Sequence, residues 1–341
     1  MAEGTVSRPR PAVRIVGGLI LGAIGYLLAG TLAYFAALAL LQQGIATELP
    51  WVNAVQRNLY HGGLRAIWQN QPDCVAFDEE LVYRAKEGRC RFRNAEFDTT
   101  LTFAGRTRVH GGSPGSAPAG SPGVAVIGDS FAMGWGVNDD ETFAAVLQAT
   151  LGRPVFNLGV SSYGTARELI ALERSGLLAA VDTVVIQYCD NDKDENLEFR
   201  PGTREANAAT FAQVTRRAAP TLRDQLPFLY AGLRYALKVP FAAVKERWRG
   251  PRTFDFGPHY APLVERLRQH PALAGKRVIV FYLTGHGTRF RNFPSGADRQ
   301  LPNVRFADLE VGREHFYSLD DHLTPAGHRY VAGKLATLVG R

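Results

Sequence analysis

Residues 124–131 read Val124-Ala125-Val126-Ile127-Gly128-Asp129-Ser130-Phe131, and this sequence is the most informative about the fold. Its first half is a short apolar run, typical of a strand that is buried on both faces. Its second half ends that run with glycine, aspartate and serine, which are turn-forming residues. In open α/β folds, ligands bind beyond the carboxyl ends of the parallel strands. The stretch therefore predicts a strand that carries the Ser130 hydroxyl to the binding edge of a sheet.

Strand and helix patterns alternate from Gly123 onward, which predicts a parallel sheet with helices on both faces. The predicted strands are Val124–Ile127, Val155–Leu158, Thr183–Tyr188, Arg277–Leu283 and Val304–Phe306. The predicted helices are Thr142–Leu151, Ala166–Ser175, Pro262–Gln269 and Pro325–Leu338. We therefore expect a three-layer α/β/α domain at 123–341, built on a parallel five-stranded sheet, with a helical insertion at 197–258.

Residues 226–248 of this insertion mix aromatic with basic side chains. Such a segment can form a lid over a binding site or a helix that lies on a membrane surface. The alternative is a helical insertion packed on the flank of its own domain, which the break in periodicity at Pro240 favours.

Ile15–Leu41 is an uncharged run of 27 residues. As a helix it would extend about 40 Å, enough to cross a hydrocarbon core of about 30 Å with some tilt. Arg8, Arg10 and Arg14 precede the run, and no basic residue follows it before residue 54. The positive-inside rule therefore predicts a cytoplasmic segment at 1–14, a transmembrane anchor at 15–41 and the remainder outside the cytoplasm.

A cleaved signal peptide is the alternative for this run, because Ala37-Leu38-Ala39 has the small-x-small form of a cleavage site. The run is longer than a normal signal-peptide core, which favours the uncleaved anchor. Between the anchor and the α/β domain, residues 42–122 are expected to form a stalk or small subdomain. A Gly/Ser/Pro linker at 110–123 closes this segment.

The chain has a formal net charge of +7 and an isoelectric point near 9.4. The excess is scattered arginine, without a basic run or interleaved aromatic residues. This distribution argues against nucleic acid as a partner and favours attraction to a membrane surface.

Three cysteines are present. Cys74 and Cys90 lie on the predicted extracytoplasmic side, where a disulfide can persist, and two separate buried thiols are the alternative. Cys189 follows a predicted buried strand and is expected to be a core thiol. No CxxC motif or Cys/His spacing indicates zinc.

The C-terminal region can supply a base for Ser130. Residues 320–328 read Asp-Asp-His-Leu-Thr-Pro-Ala-Gly-His. Thr324 and Pro325 have the form of an N-cap followed by the first helical residue, so His322 lies in the loop just before a helix. Asp320 can turn back to the Nδ1 atom of His322, and the adjacent Asp321 is its rival. His328 falls inside the helix and is expected to be a surface or packing histidine.

Ester hydrolysis also needs hydrogen-bond donors for the oxyanion. Gly159 follows the second strand and allows a backbone N–H to approach a substrate closely. Asn191 follows the third strand and can donate from its side chain. The alternatives are a tight turn at Gly159, an Asx-turn or helix cap at Asn191, and a turn-satisfying hydroxyl at Ser130.

Four stretches together resemble the SGNH hydrolases, also called GDSL-type esterases. They are Gly128-Asp129-Ser130-Phe131, Asn157-Leu158-Gly159, Asn191-Asp192 and Asp320-Asp321-His322, in the chain order of the four family blocks. The resemblance implies a flavodoxin-like three-layer fold with Ser130 as nucleophile and His322 as base, and no metal or organic cofactor. It also implies an oxyanion hole formed by Ser130, Gly159 and Asn191. Asp320 is then the residue expected to orient the base.

Residues 134–143 and 74–97 are similar to a membrane-anchored bacterial branch of this family. Two positions depart from the family pattern: Cys189 stands where the third block usually has glycine, and Leu319 stands where the last block often has aspartate. Ser130, Asn191 and His322 are all retained. The resemblance thus predicts activity despite these departures.

We therefore expect a serine esterase in the bacterial inner membrane, anchored by one helix, with its catalytic domain on the periplasmic side. Its partners would be the membrane and an O-acyl or O-acetyl ester of an envelope or secreted glycan or lipid. An O-acyltransferase that uses the same residues on a polysaccharide is one alternative. A non-catalytic envelope-binding or scaffold subunit is another.

Overall fold

The structure is a computed structural model that describes residues 11–47, 49–110, 122–216, 252–284, 288–298 and 300–340. The described chain divides into two compact units, one ending at Leu64 and the other beginning at Arg65. Most of the predicted 110–123 linker and all of 226–248 lie outside the described residues, as do Arg8 and Arg10.

The helices are α1 (Pro11–Gln42), α2 (Pro50–Leu59), α3 (Ser130–Met133), α4 (Phe143–Leu151), α5 (Thr165–Glu173), α6 (Asp192–Glu198), α7 (Arg204–Val214), α8 (Gly257–Gln269) and α9 (Pro325–Val339). The strands are β1 (Val75–Asp78), β2 (Val82–Ala85), β3 (Gly88–Arg93), β4 (Asp98–Ala104), β5 (Thr107–Arg108), β6 (Gly123–Ile127), β7 (Val155–Asn157), β8 (Val181–Tyr188), β9 (Arg252–Asp255), β10 (Arg277–Thr284), β11 (Thr288–Arg291), β12 (Gly296–Ala297) and β13 (Val304–Glu310).

The first unit contains α1 and α2. Within α1, the 28-residue span Ile15–Gln42 contains an 18-residue window with a mean hydropathy of 2.0, so this helix is long and apolar enough to cross a membrane. Ala37 of α1 packs against Val52 and Val55 of α2. The Gln56 side chain stabilises the loop between α1 and α2 by donating a hydrogen bond to the carbonyl of Ile45 at 2.8 Å.

The second unit is built on one mixed sheet. Within the described residues it has nine strands, in the order β12-β13-β10-β8-β6-β7-β5-β4-β3. Strands β13, β10, β8, β6 and β7 are neighbours and all run parallel, which confirms the five predicted strands. The predicted sheet of five strands is corrected, because antiparallel strands extend both of its edges.

The added strands β3, β4 and β5 come from the segment 42–122, which we expected to be a stalk or small subdomain. Strand β5 pairs with β7 at Arg108 and Asn157 and so joins this segment to the parallel strands. Cys74 and Cys90 form a disulfide that links the start of β1 to β3. From Arg65 onward, the described residues of this segment are therefore part of the same compact unit as the predicted domain.

Alternate residues of the parallel strands face opposite helical layers, as the strand period of two requires. Val124 and Val126 of β6 pack with α4 and α9, whereas Ala125 and Ile127 pack with α5 and α8. This arrangement is the predicted α/β/α layering, with the carboxyl ends of the strands along one edge.

Three details differ from the sequence prediction. Helix α8 begins at Gly257 instead of Pro262, because Pro258 occupies its first turn, where no backbone donor is needed. Strand β13 continues past Phe306 to Glu310. Cys189 is half-buried instead of a core thiol, because β8 ends one residue before it.

Candidate active site

Ser130 is the first residue of α3 and lies directly beyond the end of β6. Gly128 makes this sharp exit possible, because its φ of +152° is disfavoured for residues with a Cβ. A Cβ at Gly128 would also lie 2.6 Å from the Cβ of Ala132. Asp129 then caps α3, its Oδ1 accepting a hydrogen bond from the Phe131 N–H at 2.8 Å. The local sequence thus fixes the Ser130 hydroxyl at the sheet edge, as predicted.

The structure brings Ser130, His322 and Asp320 into one hydrogen-bonded line. The Ser130 Oγ lies 2.8 Å from His322 Nε2, and His322 Nδ1 lies 2.5 Å from Asp320 Oδ1. Asp320 is buried and His322 is nearly so. An ionised carboxylate only accepts, so it favours the tautomer in which Nδ1–H donates to Asp320. Nε2 can then accept from the Ser130 hydroxyl.

A tight hairpin shapes the loop that carries His322. The Tyr317 N–H donates to the His322 carbonyl at 2.8 Å, and Asp321 takes a left-handed conformation with φ +71°. Thr324 caps α9 by accepting from the Gly327 N–H at 3.2 Å, so His322 does precede a helix. The hairpin directs Asp320, rather than its rival Asp321, to the imidazole.

His328 packs inside the domain, one of the two roles expected for it. It is buried, and its Nδ1 accepts a hydrogen bond from the Phe143 N–H at 3.0 Å. Burial lowers the pKa of His328 to about 3. This histidine is therefore neutral and structural at ordinary pH.

Sequence reasoning missed two charged residues that hold Asp320. Arg65 donates from Nε to Asp320 Oδ2 at 3.2 Å and from Nη2 to Asp320 Oδ1 at 3.3 Å. Glu96 accepts hydrogen bonds from the backbone N–H groups of Ser318, Leu319 and Asp320 at 2.8–2.9 Å. Each lies more than 200 residues from Asp320 in sequence, and no local pattern marks either of them.

Two aromatic rings enclose the imidazole of His322. Trp135 stacks on it, with ring centroids 4.9 Å apart and an interplanar angle of 14°, and Phe131 lies 4.8 Å away. The loop that carries Trp135 is held by the buried guanidinium of Arg108, which donates to the carbonyls of Met133 and Gly134 at 2.7 Å each. The imidazole is thus held by packing as well as by hydrogen bonds.

Gly159 lies against the backbone of α3. A Cβ there would approach the Met133 nitrogen to 2.3 Å, so this position requires glycine. The Gly159 N–H donates to Asn157 Oδ1 at 3.0 Å, and the Asn157 side chain in turn donates to the Ala132 carbonyl at 2.9 Å. The predicted oxyanion role of Gly159 therefore stays a prediction, and it requires this N–H to be shared with the substrate.

Asn191 is exposed at the N-cap position of α6, where its side chain makes no capping hydrogen bond. It follows β8, the strand that pairs with β6, and so belongs to the sheet edge that carries Ser130. The next residue, Asp192, is buried and accepts from the Thr165 N–H at 2.7 Å and from the Cys189 N–H at 2.8 Å. Asp192 thus fixes the turn that presents Asn191.

Buried carboxyl groups lie behind the Ser130 turn. Burial raises the pKa of Asp129 to about 6, although its hydrogen bond from Phe131 and the nearby His322 act in the opposite direction. Burial, together with Asp192, raises the pKa of Glu168 on α5 well above its ordinary value. Both carboxyl oxygens of Glu168 lack a hydrogen-bond partner within the part of the chain that the structure describes.

The described residues include no group of three His, Cys, Asp or Glu side chains arranged to hold a metal ion. The polar groups of Ser130, His322 and Asp320 form a hydrogen-bonded line of a hydroxyl, an imidazole and a carboxyl group. Such an arrangement can deprotonate the serine for attack on an ester carbonyl.

Comparison with known proteins gives structural matches only. No family model matches the chain, and no curated protein matches it. A lipolytic protein of the G-D-S-L family from Desulfitobacterium hafniense is 15% identical with a TM-score of 0.32, over 64% of this chain and 99% of that one. A GDSL-like lipase from Bacteroides ovatus is 16% identical with a TM-score of 0.29, over 64% of this chain and 52% of that one.

An acetyl xylan esterase from the rumen bacterium Butyrivibrio proteoclasticus is 11% identical with a TM-score of 0.31, over 65% of this chain and 64% of that one. All three TM-scores lie below 0.5, so these likenesses carry no argument about the function of this chain.

Proposed function

We propose that this chain is a membrane-anchored serine esterase of the SGNH type. One observation carries the proposal: Ser130 Oγ, His322 and Asp320 form a continuous hydrogen-bonded line with separations of 2.8 and 2.5 Å. The separation of 2.8 Å between Ser130 Oγ and His322 Nε2 is one at which a base can remove the proton of a serine hydroxyl.

In the proposed reaction, the Ser130 Oγ attacks the carbonyl carbon of an ester while its proton passes to His322 Nε2. Asp320 holds the imidazole and stabilises the imidazolium that forms. The tetrahedral intermediate then expels the alcohol, which takes the proton from His322. Water, activated by the same imidazole, attacks the acyl-enzyme and releases the acid. No step requires a metal or an organic cofactor.

The oxyanion of the intermediate would be held by the Ser130 N–H, the Asn191 side chain and the Gly159 N–H. Each such donor is typically worth about 3 kcal/mol, so replacing Asn191 by Ala should lower kcat on the order of 10²-fold. Asn191 makes no capping hydrogen bond. Its replacement should therefore leave the thermal stability of the protein unchanged.

The proposed location is the bacterial inner membrane, with the second unit outside the cytoplasm. The apolar helix α1 supports an anchor, and the Cys74–Cys90 disulfide supports an oxidising compartment. The proposed substrates are O-acyl or O-acetyl esters of an envelope or secreted glycan or lipid.

The test is an ester panel of increasing acyl length, assayed with the full-length protein in detergent and with the variant Ser130→Ala. We expect hydrolysis by the parent protein and background rates for the variant. Adding a sugar acceptor separates release of free acid from acyl transfer to the sugar. An inactive parent protein with intact thermal unfolding would refute the esterase and support a scaffold.

A further inference from the structure

The triad aspartate is paired with a guanidinium from the other end of the chain. Arg65 is the first residue of the second unit, and it forms a two-point ion pair with Asp320 across 255 residues of sequence. The Asp320 side chain is fully buried, and that of Arg65 is 22% exposed. Two hydrogen bonds from one guanidinium fix the orientation of a buried carboxylate, and the positive charge favours its ionised form.

We propose that Arg65 is a positioning residue of the catalytic triad, which keeps Asp320 aligned as an acceptor and thereby sets the productive tautomer of His322. This inference rests on the function proposed above. Arg65 does not touch the reacting atoms. It would act through Asp320 and the imidazole.

The geometry explains how the guanidinium can select a tautomer. Arg65 Nη2 lies 3.3 Å from His322 Nδ1, and a guanidinium offers only N–H donors. If His322 Nδ1 carried no proton, Arg65 could donate a hydrogen bond to it. Nδ1 and Asp320 Oδ1, which lie 2.5 Å apart, would then be two acceptors with no proton between them. Because Arg65 favours Asp320 as an ionised acceptor, a proton on His322 Nδ1 makes the short Nδ1–Oδ1 contact a hydrogen bond. Nε2 is then left to accept from Ser130.

The position of Arg65 is itself fixed. The side chain of Asn94 accepts from the Ala66 N–H at 2.6 Å and donates to the Ala66 carbonyl at 3.1 Å, which locks the backbone next to Arg65. The guanidinium carbon lies 4.8 Å from the ring centroid of Trp135, the ring that stacks on His322. Arg65, Trp135 and His322 therefore form a packed series that a flexible surface arginine would not maintain.

The experiment compares Arg65→Gln, Arg65→Lys and the control Arg91→Gln in the full-length protein. Arg91 forms a similar two-point pair with Asp98, but on the exposed β3–β4 hairpin. For Arg65→Gln we expect kcat to fall on the order of 10–100-fold, a loss typical of a misplaced catalytic group, with little change in KM. Arg65→Lys keeps the charge and an N–H donor for Asp320, so it should recover part of kcat.

A second measurement does not depend on activity. The ¹⁵N NMR shifts of the ring nitrogens, assigned to His322 by loss of the signals in His322→Ala, report which nitrogen carries the proton. We expect the proton on Nδ1 in the parent protein and in Arg91→Gln, and a mixture of tautomers in Arg65→Gln.

These readouts keep the two proposals distinct. A tautomer change in Arg65→Gln would support the role of Arg65 even if the parent protein hydrolysed no ester, a result that would refute only the esterase. An unchanged tautomer in a folded Arg65→Gln protein would overturn the role of Arg65. An unchanged kcat of Arg65→Gln in an active enzyme would overturn it as well.

Discussion

The Ser130–His322 site and the contact between α5 and α6 each contain a buried carboxyl group. The two groups differ in their hydrogen-bond partners. Asp320 accepts from Arg65 and contacts His322, and its loop is held by Glu96. Glu168 on α5 has no hydrogen-bond partner within the described residues, and neither does the Asn196 side chain on α6. A buried carboxylate is costly unless it is paired and hydrogen-bonded. The ion pair with Arg65 favours the ionised form of Asp320, whereas burial raises the pKa of Glu168 well above its ordinary value.

The largest expected effect separates the two adjacent aspartates of the site. Asp320→Asn replaces the acceptor with an amide and allows the unproductive imidazole tautomer, so kcat should fall on the order of 10⁴-fold. Asp321→Asn should retain activity, because asparagine tolerates the left-handed conformation at this position. Ester hydrolysis rates of both variants measure the effect. A greater loss in Asp321→Asn would reassign the orienting acid.

A smaller loss is expected when the support of the Asp320 loop is removed. Glu96→Ala deletes the acceptor for three backbone N–H groups, so the loop should shift and kcat should fall on the order of 10²-fold. Glu87→Ala is the matched control, because Glu87 accepts from the backbone N–H groups of Gly105 and Arg106 at an exposed turn. Equal kcat values for the two variants would show that Glu96 does not position the site.

The pH dependence of stability tests the cost of burying Asp129. Its pKa rises from 3.8 in the unfolded chain to about 6 in the fold, so the folded state binds more protons in that window. Stability contributed by this group is therefore lost as pH rises from about 4 to about 6, by about 3 kcal/mol. Asp129→Asn keeps an oxygen acceptor for the Phe131 N–H and removes the charge.

Thermal unfolding of Asp129→Asn and the parent protein, followed from pH 4 to pH 8, provides the measurement. The variant should have the higher Tm above pH 6, and the difference should vanish near pH 4. A variant that is less stable at pH 8 would show that the ionised carboxylate is favourable in the fold.

The smallest expected effect concerns Glu168, which makes no hydrogen bond to any residue that the structure describes. Burial raises its pKa and so favours the uncharged acid, which Glu168→Gln replaces with an amide of the same shape. The free energy of unfolding at pH 7 should therefore change by less than about 1 kcal/mol. Chemical denaturation measures this change. A loss of about 3 kcal/mol or more would indicate that Glu168 is ionised and paired, which would abolish the contrast with Asp320.

The parallel strands and the line of Ser130, His322 and Asp320 could be predicted because their signals are local. Apolar runs mark the strands, and the Gly-Asp-Ser turn and the Thr324-Pro325 cap mark the loops. Strands β3 and β4 also carry a local signal, since Cys90, Phe92 and Leu101 alternate with more exposed residues. An alternating pattern of this kind is typical of a half-buried strand.

Arg65 and Glu96 could not be predicted, because their roles depend on contacts across more than 200 residues of sequence. A single arginine or glutamate has no periodic neighbour that reveals its partner. The state of Glu168 depends in the same way on burial between two helices. Sequence reasoning therefore identified the groups proposed to react, and the structure identified the groups that hold them.

Intact-protein and peptide mass spectrometry after treatment with a fluorophosphonate tests the central claim most directly. The claim is that His322 activates Ser130 as a nucleophile. It predicts one phosphonyl adduct per chain, located on Ser130, that is absent in Ser130→Ala and strongly slowed in His322→Ala. A folded parent protein that gains no adduct, or gains one on another residue, would contradict it.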